Sequence, residues 1–142
     1  RFSAVGLYEN IVYEGMKELL EELKRLGKTM FVATSKPTIF SIKILEHFGL
    51  IHLFTDVIGS ELDGTRVEKS DVIKFVLSKI EGYDLNKIVM VGDRKFDIVG
   101  AQDNGIAVVG VSYGYGGANE LVEAKPNYIV NSVAELHKFL CN

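Results

Sequence analysis

The chain has 142 residues and, with 16 Lys and Arg against 19 Asp and Glu, a formal charge of −3, which suits one globular domain with a substantial core. With 47% hydrophobic and 25% charged residues it has the balance of a folded soluble protein, and the absence of a clustered basic run argues against nucleic acid as a partner. A single cysteine, Cys141, offers no intrachain disulfide and no cysteine-based metal site, no apolar run reaches the ~20 residues of a membrane span, and the opening residues lack a signal-peptide layout, so a reducing, cytoplasmic setting without a membrane partner is expected.

Residues 1–10 read as a connecting segment that leads into structure. Over 15–27, Met16, Leu19, Leu20, Leu23 and Leu26 recur at helical spacing, and Gly27 stands where that helix would end. The apolar run 30–33 predicts a buried strand that breaks into a loop at Thr34-Ser35-Lys36-Pro37. Ile39, Ile42, Leu45 and Phe48 predict a second helix closed by Gly49, and 56–59 a short strand after it. Ile73, Val76, Leu77 and Ile80 share one face of a helix over 70–80, and 88–91 is a fully apolar strand ending at Gly92-Asp93. A helix over 97–104, a strand over 106–111, a Gly-rich loop over 114–117, a strand over 128–130 and a last helix from Val133 complete the chain.

Strands apolar on both faces that alternate with amphipathic helices predict an α/β fold over residues 1–142: a doubly wound, mostly parallel sheet with helices on both faces. Such sheets bind ligands beyond the carboxyl ends of their strands. Two of those ends are chemically suggestive. Asp93 and Asp97 lie four apart, so a strand-end carboxylate and one from the first helical turn can converge, and a hard cation such as Mg²⁺ would relieve their repulsion. The same residues also suit a helix cap (Asp93) and a first-turn acid favoured by the macrodipole (Asp97). Thr34-Ser35 offers hydroxyls and backbone N–H groups for an anion, or alternatively a helix cap ahead of Pro37. Lys69, taken alone, reads as a surface lysine.

In combination, Thr34, Lys69 and Gly92-Asp93-x-x-x-Asp97 resemble motifs two, three and four of the haloacid dehalogenase-like (HAD) hydrolases. Tyr13-Glu14-Gly15-Met16-Lys17-Glu18-Leu19-Leu20, Ala33-Thr34-Ser35-Lys36-Pro37, Val91-Gly92-Asp93-Arg94 and Tyr113-Gly114-Tyr115-Gly116 are similar to the phosphoglycolate phosphatase branch. The resemblance implies a HAD-like Rossmannoid core and a Mg²⁺-dependent phosphomonoester hydrolase acting through an aspartyl-phosphate. It further implies that Thr34, Ser35 and Lys69 bind the phosphoryl group of a small-molecule phosphomonoester, Thr34 and Lys69 serving catalysis, while Asp93 and Asp97 hold the metal. Arg66, three residues before Lys69, competes for the motif-three role.

Motif one of that family, Asp-x-Asp-Gly-Thr, does not occur; Glu61-Leu62-Asp63-Gly64-Thr65 has only its tail, follows motif two, and reads as a turn. By the resemblance, the nucleophile and a cap domain lie upstream, residues 1–12 return from the cap, and the missing first strand would leave central strand edges unpaired, so this piece alone is expected to be inactive. The competing class is a non-catalytic module binding a phosphate-bearing ligand or a partner, with a nucleotidase-type relative as a closer variant. A receiver-type signalling domain needs an acidic pair at its first strand, where residues 1–13 supply only Glu9. Gly114-Tyr115-Gly116-Gly117 does not complete a dinucleotide fingerprint, since Asn119 holds its sixth position and no long helix is expected to follow. His47, His52 and His137 show no metal-ligand pattern, while Phe2, Tyr8, Tyr13, Tyr113 and Tyr115 are either packing residues or the rim of a substrate mouth.

Overall fold

The computed structural model describes residues 2–7, 13–64, 66, 68–80, 82, 84–114 and 117–141. Strand and helix alternate along them: β1 (Ala4–Leu7), α1 (Met16–Arg25), β2 (Thr29–Pro37), α2 (Thr38–His47), β3 (Asp56–Ser60), α3 (Lys69–Ser78), β4 (Ile88–Gly92), α4 (Lys95–Asp103), β5 (Ala107–Val111), α5 (Gly117–Ala124), β6 (Tyr128–Val130) and α6 (Val133–Leu140). The six strands form one sheet in the order β3-β2-β1-β4-β5-β6, every neighbouring pair parallel. This is the doubly wound order whose ligand crevice lies at the carboxyl edge, where the direction of winding reverses beside β1.

Two apolar layers hold the sheet. On one face Val5, Val32, Val89 and Val109 pack beneath α1, α2 and α6, with Met16, Leu19, Leu20, Leu23 and Leu136 fully enclosed. On the other, Ala4, Phe31, Met90 and Val108 meet Val72, Ile73 and Val76 of α3, Ile98 and Ala101 of α4, and Leu121 of α5. Each fully buried Leu, Ile or Met side chain contributes about 2 kcal/mol of transfer free energy, so the alternation of elements is enforced from both sides.

Three features differ from the sequence expectations. Residues 4–7 are a central strand rather than a connection: Ala4, Val5, Gly6 and Leu7 pair with residues 29–32 of β2 and 88–91 of β4. They fill the gap in which two strand edges would otherwise stand unpaired, because buried backbone N–H and C=O groups demand partners. β2 continues past Ala33 to Pro37, with an irregular register against β3 between Ala33 and Pro37. Thr34 and Ser35 therefore lie on an irregular strand extension, and a bulge is where a strand tolerates proline. A helix, α5, follows the Gly-rich loop; it is only 8 residues long, and fully buried Leu121 anchors it to the sheet.

Candidate active site

The ends of β2 and β4 and the start of α3 converge at the carboxyl edge. Thr34 is wholly buried, and its Oγ1 accepts from the Lys36 N–H at 3.1 Å. Thr34 therefore fixes its own turn and does not cap α2, whose N-cap is Pro37. Lys69 is the first residue of α3, where a cation opposes the helix dipole. Two acceptors offset that cost: Lys69 Nζ donates to the Ala33 carbonyl at 3.3 Å and lies 2.6 Å from Asp97 Oδ1. One lysine thereby joins β2 at Ala33 to the first turn of α4.

Asp97 is saturated with donors. Its Oδ2 accepts from the N–H groups of Asp93 at 3.1 Å and Arg94 at 3.2 Å, while Oδ1 faces Lys69. The N-cap of α4 is Arg94, so Asp97, not Asp93, is the carboxylate that caps this helix. Asp93, 3% exposed, directly follows the end of β4. Both carboxylates lie against glycines for want of space. A Cβ at Gly92 would overlap the Asp97 side chain, and one at Gly114 would overlap Asp93. Gly114, after β5, thus rests directly on Asp93.

The remaining candidates lie elsewhere or play smaller parts. Ser35 is exposed, and its carbonyl accepts from Ser60 Oγ at 3.0 Å. Arg66 turns away from the site: Nε donates to the Gly59 carbonyl at 3.3 Å, Nη2 pairs with Glu61 Oε1 at 2.6 Å, and the guanidinium stacks on Phe75 at 4.2 Å. Asp63 sits on an exposed turn after the edge strand β3. Phe2 is a core residue against Phe139, and Tyr13 meets Tyr113 edge to face at 5.1 Å, while Tyr8 and Tyr115 lie outside the described residues. Among the described residues no three His, Cys, Asp or Glu side chains cluster as a ready metal cage, so a cation here would rest on one or two carboxylates and on oxygens of its ligand, the manner of Mg²⁺.

Two functional contacts escaped the sequence analysis. Gly114 reads there only as a loop glycine. Glu120 of α5 accepts from Arg94 Nε at 3.0 Å, from Arg94 Nη2 at 3.4 Å and from the Lys95 N–H at 3.2 Å. The hydrogen bond from Arg94 holds the Glu120 carboxyl below the usual carboxylate range, and the same bond raises the already high Arg94.

A doubly wound parallel sheet with a buried threonine, a lysine and two buried carboxylates at or near the carboxyl ends of β2 and β4 defines an α/β core of the Rossmann-like kind. The chain belongs to the haloacid dehalogenase-like hydrolase family, whose model matches residues 7–111. It is 44% identical to a 5'-nucleotidase of Pseudomonas aeruginosa over 140 residues, covering 99% of this chain and 63% of the relative. It is 33% identical to a phosphoglycolate phosphatase of Vibrio parahaemolyticus, covering 88% of this chain and 54% of that one. The crystal structure of a Clostridium difficile protein named as a phosphatase superposes with a TM-score of 0.87 at 49% identity, over 90% of this chain and 60% of its own. The chain thus spans between 54% and 63% of the length of these three relatives.

Proposed function

We propose that these residues are the core of a Mg²⁺-dependent phosphomonoester hydrolase, similar to phosphoglycolate phosphatases and to their 5'-nucleotidase relatives, acting on small phosphate esters in the cytoplasm. The observation that supports this reading is the chain of contacts from the carbonyl of Ala33, the residue before buried Thr34, through Lys69 and Asp97 to the backbone N–H of Asp93. Phosphoryl transfer needs charge neutralisation and alignment, and these residues supply both. Among the described residues no helix is long and apolar enough to cross a membrane.

In this reading Thr34, with Ser35 and the adjoining N–H groups, orients the phosphoryl oxygens, and Lys69 balances their charge while Asp97 keeps its ammonium in place. Asp93, in the turn that Asp97 pins, would hold Mg²⁺, with Asp97 as the neighbouring carboxylate. Bound Mg²⁺ would supply Lewis-acid neutralisation of the phosphate charge. The nucleophile is an aspartate upstream of Arg1: its oxygen bonds to phosphorus as the ester P–O bond breaks, a second aspartate gives the leaving oxygen its proton, and water then hydrolyses the acyl phosphate. In this reading the segment bearing the nucleophile precedes β1 in the chain.

Brief incubation of the complete protein with a ³²P-labelled phosphate ester, followed by acid quench, tests this. A hydroxylamine-labile label on a peptide outside residues 1–142 is expected. A label on Asp63, or no acyl phosphate at all, would overturn the mechanism and leave a phosphate-binding module.

A further inference from the structure

The turn beneath Asp93 is held by carboxylates from two different elements. Asp97 of α4 takes the N–H groups of Asp93 and Arg94, and Glu120 of α5 takes that of Lys95. Glu120 does more than hold backbone. Both its oxygens engage the Arg94 guanidinium, which also lies over the Phe96 ring at 5.2 Å. Arg94 is the residue next to Asp93, and its charge is within electrostatic reach of both Asp93 and Asp97. An arginine so placed has an alternative partner in the very carboxylates that would hold a metal, and a guanidinium satisfies a carboxylate well.

We infer that Glu120 is a positioning residue that parks the Arg94 guanidinium on α5 and so keeps it from competing with a divalent cation for Asp93. Gly114, between β5 and α5, also lies directly against Asp93. The inference rests on the reading of Asp93 as a cation ligand and adds a control on cation affinity that none of the four motif residues provides.

The probe is Mn²⁺ alone, bound to the complete protein and followed by electron paramagnetic resonance, with thermal unfolding in parallel. Glu120→Gln keeps an acceptor for the Lys95 N–H but loses the charge that holds Arg94. It is expected to weaken Mn²⁺ binding about tenfold, the scale of one partly screened charge released near the site. Arg94→Gln added to Glu120→Gln is expected to restore wild-type affinity, a rescue that a merely structural role for Glu120 would not give. Wild-type affinity in Glu120→Gln, or a double variant as weak as the single, would overturn the inference. Should Glu120→Gln fail to fold, Arg94→Gln alone decides: binding at least as tight as wild type supports the inference, and weaker binding overturns it. Asp93→Asn separates the two levels: if it leaves Mn²⁺ binding intact, the reading of Asp93 itself falls, whereas its loss together with an unaffected Glu120→Gln removes only the role of Glu120.

Discussion

Lys69 Nζ lies 2.6 Å from Asp97 Oδ1 with side chains only 10% and 3% exposed, so the ammonium and the carboxylate are enclosed together. Removing one partner of such a pair leaves the other buried without compensation, which is costlier than removing both. Lys69→Met is therefore expected to destabilise the fold by about 3 kcal/mol in urea unfolding, and Asp97→Asn added to it to recover part of that loss. Arg66→Ala, which removes a surface stack on Phe75 and an exposed ion pair, is expected to cost no more than about 1 kcal/mol and to leave phosphate-ester hydrolysis within about twofold of wild type.

Thr34 makes its turn with a hydroxyl in a site closed to water. Thr34→Val keeps the shape and deletes the acceptor for the Lys36 N–H, so a loss of about 1–2 kcal/mol is expected, with a larger fall in hydrolysis than in stability. Thr34→Ser retains the oxygen and should recover most of the activity. Equal activity in the Val and Ser variants would remove the hydroxyl from the site chemistry.

Gly114 is where the loop touches Asp93. Gly114→Ala forces either the loop or the carboxylate to move, and a displacement of an ångström at a reacting centre costs on the order of a hundredfold in rate. Hydrolysis is expected to fall by about that factor while the melting temperature changes by only a few degrees. Leu26→Ala, an exposed change on the far side of the chain, serves as the neutral comparison.

The Arg94 and Glu120 pair gives a pH signature. Hydrogen bonding from Arg94 lowers Glu120 in the folded state, so the stabilisation is present above the unfolded value near 4.3 and is lost as pH falls through the folded value. The stability difference between wild type and Glu120→Gln, no more than about 1 kcal/mol for so exposed a pair, should be constant from pH 8 to about pH 5 and should shrink towards pH 3. Urea titrations of both proteins across that range measure it; a difference that grows on acidification would contradict the assignment.

Much of this was readable from residue order because the parallel sheet writes itself plainly: 88–91 is apolar on both faces, and α1 carries its four buried residues at helical spacing. Thr34 and Asp93 were visible as polar residues following apolar runs, Asp97 by its spacing of four from Asp93, and Lys69 only through the family resemblance. Other features were not. Residues 4–7 have no periodicity long enough to mark a strand; neighbours on both sides, not propensity, make them one. The 8-residue α5 depends on a single buried leucine after a run of glycines. The partnership of Glu120 with Arg94 spans 26 positions and two elements, so only the folded chain brings it together. The choice between Lys69 and Arg66 is likewise a matter of direction: one points along α3 to Asp97, the other back across β3 to Gly59.

The central claim is that Asp93 is the carboxylate through which a divalent cation serves phosphoryl transfer. The most direct measurement is Mg²⁺-dependent release of phosphate from an aryl phosphate by the complete protein and by Asp93→Asn, each shown folded by its thermal transition. The account predicts a fall of about a thousandfold or more in the variant, with saturation by Mg²⁺ lost. Activity close to wild type with unchanged Mg²⁺ dependence would contradict it.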